Sequence, residues 1–177
     1  MITHEYALLG IKITNYTAAI NAAINHEVGD TRECAGDEKI YSFDSRIEIE
    51  GLCTYPEGQE DSTYSITIYG GERPDRSFSL TLKDCHQIDD DYMHVYRKVR
   101  GTEVPVYNVP KDIGCIERQR GTKHWRGAVW VPIRTVTDML TLLPHTQPLY
   151  LDIQTLIEKK YHGIRSLSLQ TNDPATS

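Results

Sequence analysis

The chain has 177 residues, a net charge of −6, 39% apolar and 25% charged residues. That length points to one domain able to bury roughly 70% of the surface its unfolded chain exposes, and the composition excludes a disordered or fibrous chain. The longest apolar runs fall far short of the ~20 residues of a membrane helix, and the start "MITHEYALLG" lacks the features of a secretion signal. The expectation is a soluble, cytoplasmic protein with no membrane partner.

In chain order, "EYALLGIKIT" predicts a first strand. In "NYTAAINAAINHEVGD" the spacing changes: Tyr16, Ile20 and Ile24 recur every four residues among alanines. This predicts a short helix capped by Asn15 and ended by Gly29. From residue 40 the period is two. "SRIEIEGLCTY", "STYSITIYGG" and "SFSLTLKD" alternate apolar and polar residues and are separated by the turn-rich "PEGQED" and "ERPDR". They predict a three-stranded antiparallel meander with Ile47, Ile49, Tyr64, Ile66, Ile68, Phe78, Leu80 and Leu82 inward.

Residues 85–112 are less regular, and Pro105 and Pro110 argue for loops or edge strands. "IGCIERQR" and "RGAVWVPI" predict a hairpin around "GTKH". "RTVTDMLTLLP" returns to a helical period, with Val136, Met139, Leu140 and Leu143 as one core stripe, Thr135 as a cap and Pro144 as the stop. "PLYLDIQTL" and "GIRSLSLQT" predict two closing strands, and residues 171–177 a flexible polar tail. The fold expected is one mainly β domain over residues 1–170. It is an antiparallel sandwich or partly open barrel of about eight strands with two short helices.

Charge is unevenly spread. Residues 97–126 carry eight Lys or Arg against three acids in a chain that is acidic overall. Within this stretch, Arg118, Arg120, Lys123, Trp125 and Arg126 form a basic, aromatic hairpin that Arg97, Lys98 and Arg100 would extend. Arg and Trp anchor protein interfaces, and the same residue types bind the phosphates and bases of single strands. The plainer alternative is a solvated hairpin tip. A second segment, "DCHQIDDDYMH", holds His86, Asp89, Asp90, Asp91 and His94, ligand types used by Mn, Fe or Zn. Its spacing matches no metal signature, and an acidic loop is the plainer reading. Cys115 and His124 are near enough in sequence to meet in a hairpin, but a nucleophile also needs a placed third group.

No Cys-x-x-Cys pair, nucleophile elbow or phosphate-binding glycine loop occurs. Cys34, Cys53, Cys85 and Cys115 are read as small buried thiols. The 11 tyrosines against 2 phenylalanines suit half-wet sheet faces. The first functional reading is therefore a non-enzymatic module that binds a protein partner through the hairpin and needs no cofactor. Single-stranded nucleic acid on the same hairpin is the second, and a metal-dependent enzyme using residues 84–94 the third.

Overall fold

A computed structural model describes residues 5–24, 41–71 and 77–176. The chain divides into two compact units, residues 1–72 with 112–177, and residues 73–111.

The larger unit is a closed seven-stranded barrel. It comprises β1 (Glu5–Ile24), β2 (Tyr41–Tyr55) and β3 (Thr63–Gly70) from the first half of the chain. From the second half come β6 (Gly114–Arg118), β7 (His124–Val131), β8 (Tyr150–Glu158) and β9 (Tyr161–Gln170), in the order β1-β2-β3-β7-β6-β9-β8. β8 closes the ring on β1, with Glu5 opposite Ile157 and Lys12 opposite Tyr150. All pairs are antiparallel except β3–β7, which is parallel with Tyr64 beside Trp125 and Tyr69 beside Trp130.

The alternation in β2 and β3 does what its period dictates. Ile47, Ile49, Ile66 and Ile68 are fully buried, joined by Ile11, Ile116, Val129, Leu151, Ile153 and Ile164. Each such side chain contributes about 2–3 kcal/mol by leaving water. The helix α1 (Ile133–Leu142) inserts Val136, Met139 and the following Leu143 under the end of the barrel marked by Ser45, Gly70 and Val131. Gly70 is required there, because a Cβ would overlap Ser45 Oγ and press on Val136.

Several expectations need correction. Residues 15–24 are strand, not helix: they continue β1 and pair with Tyr41–Glu50. The four-residue spacing of Tyr16, Ile20 and Ile24 is also a multiple of two, and β2 supplies backbone partners along the whole run, so tertiary pairing overrides alanine's helix propensity. Asn15, the expected cap, instead sits in the strand opposite Glu50 and donates to its carboxylate (3.4 Å), and Asn21 donates to Asp44 (3.0 Å) across the same pair. Gly29, the expected helix end, lies outside the described residues.

The third meander strand does not form either. Residues 77–82 are turns leading into a 3-10 turn at Lys83–Cys85, and Phe78, Leu80 and Leu82 are exposed. Asp84 accepts hydrogen bonds from the Thr81 N–H (2.7 Å) and hydroxyl (2.6 Å), and Ser77 Oγ from the Ser79 N–H (3.2 Å). Such local bonds compete with a strand ladder. Thr135 is not a cap; α1 begins after Pro132, whose carbonyl accepts from the Thr135 N–H (2.8 Å). Among the described residues there is one α-helix, and the barrel is closed with one parallel pair.

Residues 73–111 hold a two-stranded hairpin, β4 (Tyr96–Val99) and β5 (Thr102–Pro105), turned at Arg100 (φ 50°) and Gly101 (φ 86°). Positive φ at both positions is the turn that matches strand twist. The end of the chain, expected to be a loose tail, forms a 3-10 turn at Pro174–Thr176 whose Pro174 fits against Gly10 of β1. No described helix is long and apolar enough to cross a membrane.

Candidate functional site at the barrel mouth

The barrel has two ends, and α1 fills one. At the other, the strands bring Leu9, Tyr64, Ile116, Trp125, Ile157 and His162 around a cavity of about 110 Å³, with Ala7, Thr155, Pro56 and Gln59 completing it. Strand alternation explains each inward residue. On β7, Trp125 shares the inner face with Val129 and Val131, so Arg126 points outward. Gly127 lets Ile66 and Ile116 pack closely over β7, since a Cβ there would lie 2.7 Å from Ile66 Cδ1 and 3.1 Å from Ile116 Cγ1.

The aromatic groups are held against one another. Trp125 stacks on Tyr64 (centroids 6.1 Å apart, planes 10° apart) and meets the edge of His162 at 5.4 Å. On the outer face, Trp130 stacks separately on Tyr69 at 5.2 Å. Burial pushes the Tyr64 phenol and the Cys53 thiol up and the His162 imidazole down from their ordinary pKa values. Each shift favours the neutral form, so the lining is uncharged at neutral pH. The Cys53 thiol donates to the Tyr55 carbonyl (3.2 Å).

The five basic and aromatic hairpin residues do not share one face. Trp125 faces into the barrel. Arg118 ends β6, and its Nε donates to the Thr122 carbonyl (2.8 Å) across the tip. Lys123 pairs with Asp61 at 3.0 Å, both side chains exposed. Arg126 sits opposite Glu117 across the β6–β7 pair. Arg120 lies in the turn beyond β6, so it does not share a strand face with Arg118. Arg97, Lys98 and Arg100 belong to the other compact unit.

The register adds cations that the sequence reading did not connect with the hairpin. β9 lies beside β6 with His162 opposite Ile116. Just beyond that last pair β6 ends at Arg118, while Lys159 and Lys160 form the tight β8–β9 turn that leads into β9. Arg120, Lys159 and Lys160 are exposed and make no ion pair among the described residues. Beside the hairpin tip, the β2–β3 loop carries Glu57, Glu60 and Asp61, the last being the partner of Lys123. The Gly58 N–H bonded to Glu60 (2.9 Å) holds that carboxyl below its usual range.

The His and Asp segment is built differently from a metal site. His86 and His94 stack ring on ring at 4.1 Å with planes 10° apart, flanked by Tyr96 and Tyr107. Lone pairs lie in the ring planes, so parallel rings do not converge on one ion at the ~2.0–2.1 Å that zinc requires. Asp89 accepts from the Asp91 (3.1 Å) and Met93 (2.8 Å) N–H groups, closing a turn. No group of three or more metal-ligating side chains gathers among the described residues. Cys115 and His124 stay apart: Cys115 pairs with Ala128, while His124 Nδ1 meets Thr63 Oγ1 at 2.9 Å. Cys53 and Cys85 are buried, Cys115 is half-buried, and Cys34 lies outside the described residues.

The sequence alone does not single out His162, which lies between the two expected closing strands, or Leu9 and Ala7, which it marks only as strand. Their alternation signalled an inward face, but their convergence at one end depends on the β1–β8 closure. The chain matches no family model, no curated protein and no solved structure.

Proposed function

We propose that this protein is a non-enzymatic, cytoplasmic interaction module whose barrel mouth receives one apolar side chain of a protein partner. The observation that carries the reading is the size and character of the mouth. Pockets for drug-sized ligands and cofactors span about 300–1,000 Å³. An apolar cavity of about 150 Å³ takes a benzene ring. A neutral, mostly apolar cavity of about 110 Å³ suits a group of roughly four carbons, such as the side chain of Leu, Ile or Val. Interface anchors enter pockets of this kind, rimmed by polar residues that exclude water.

Single-stranded nucleic acid gains less support. Base stacking needs an aromatic face beside the cations, whereas Trp125 is stacked on Tyr64 and faces inward. The proposal is tested by selecting short random phage-displayed peptides against the full chain and against the Ala7→Leu variant, which fills the mouth. Enrichment of sequences sharing one apolar residue, lost on the variant, supports the reading. No enrichment, or equal capture by the variant, counts against it.

A further inference from the structure

We infer that the partner segment is acidic, its apolar anchor flanked by carboxylates that lie over Arg120, Lys159 and Lys160. This rests on the mouth being the binding site, and it adds the chemistry of the flanks. The argument begins with what neutralises what. Of the cations around the mouth, Lys123 is spent on Asp61 and Arg126 faces Glu117. Arg118 is tethered through Nε to the hairpin's own carbonyl, which leaves its guanidinium charge in place.

Arg120, Lys159 and Lys160 extend that charge along one side of the mouth, where the β6–β7 and β8–β9 turns lie side by side. Glu57, Glu60 and Asp61 lie on the β2–β3 loop, whose Asp61 meets Lys123 of the β6–β7 turn at 3.0 Å. A segment seated over the cavity and the β6–β7 and β8–β9 turns therefore meets three exposed cations that no carboxylate among the described residues pairs. Carboxylates are attracted to these cations, and complementary rim charges guide encounter and exclude wrong partners.

A long polyanion fits this arrangement worse than a short acidic segment. Its phosphates would have to run past Glu57 and Glu60 on the neighbouring loop of a chain that is itself −6. A peptide can confine its charges to one flank.

The test uses Trp fluorescence of the full chain titrated with four probes. One is a peptide with a Leu flanked by Glu. The second has Lys in place of Glu, and the third has Ala in place of Leu. The fourth is an oligothymidylate. The inference predicts that the Glu-flanked Leu peptide binds at least tenfold more tightly than the Lys-flanked one. The difference should shrink at high salt and in an Arg120→Gln/Lys159→Gln/Lys160→Gln variant.

Equal binding of both Leu peptides, blocked by Ala7→Leu, overturns the acidic partner and leaves the mouth reading standing. Equal binding of the Leu and Ala peptides overturns the mouth reading. Tighter binding of oligothymidylate than of any peptide, lost in the triple-Gln variant, overturns the inference in favour of a phosphate-reading bank. Binding of none of the four overturns both readings.

Discussion

If the mouth is unfilled space waiting for a side chain, filling it from within should stabilise the fold while removing binding. Ala7 lines the cavity opposite Thr155, whose hydroxyl donates to the Ala7 carbonyl (3.3 Å). Ala7→Leu adds three carbons, worth about 2.4 kcal/mol if fully buried at ~0.8 kcal/mol each. The mouth opens to solvent and a buried Leu loses about 0.5–1 kcal/mol of rotamer freedom, so the expected net gain is about 1 kcal/mol. For a chain of this length that raises Tm by roughly 2–4 °C. Thermal unfolding followed by near-UV circular dichroism measures it, alongside the peptide selection. A variant less stable than wild type by more than about 1 kcal/mol would mean that the space is not there.

Other outcomes follow from particular contacts. Gly114→Ala would place a Cβ onto the Ala128 carbonyl oxygen and 2.7 Å from Val129 Cα, so β6 must move off β7. The expected cost is about 3 kcal/mol, against about 1 kcal/mol for Gly121→Ala, where φ is +78° but nothing crowds the site; equal losses in denaturant unfolding would refute the close-approach account. Because burial depresses the His162 pKa, the unfolded chain takes up its proton first as pH falls. This contribution is fully present above pH 6.5 and lost as pH drops through the lowered folded value. Between about pH 7.5 and about pH 5.5, His162→Gln should therefore lose less stability than wild type, and equal losses would show that the ring is not desolvated. Asp89→Ala strands the Asp91 and Met93 N–H groups and should speed exchange at both amides, with Asp89→Asn restoring Met93 protection; unchanged exchange would show that the carboxylate does not close the turn.

What the sequence made legible, and what it hid, follows from the range of the interactions concerned. Ile47/Ile49 and Tyr64/Ile66/Ile68 declare an inward face by strict alternation, because one face of each strand is wet. The β6–β7 hairpin declares itself through two apolar runs and a Gly turn, and α1 through the Val136–Met139–Leu143 stripe. Residues 15–24 were ambiguous because a spacing of four fits both periods, and only the long pairing with β2 decides. Ser77–Asp84 alternates like a strand, yet its own hydroxyl and carboxylate groups satisfy the backbone locally.

The candidate site was the least legible feature. Cations were visible at Arg118, Arg120 and Lys123. That Trp125 turns inward follows from its parity with Val129, which was available. That His162, Leu9 and Ala7 converge with it, and that the Lys159–Lys160 turn leads into the strand beside β6, follows from β8–β1 and β6–β9 pairing. Those pairings join segments more than 40 residues apart, and no local pattern encodes them.

The claim that the mouth is the binding site is tested most directly by the two indole N–H resonances in a ¹H–¹⁵N spectrum. Trp125 lines the cavity, and Trp130 stacks on Tyr69 on the outer face, which makes it an internal reference in the same strand. Titration of the labelled full chain with the Glu-flanked Leu peptide should shift the Trp125 indole progressively and leave that of Trp130 in place. A shift confined to Trp130, or binding that moves neither, would contradict the account.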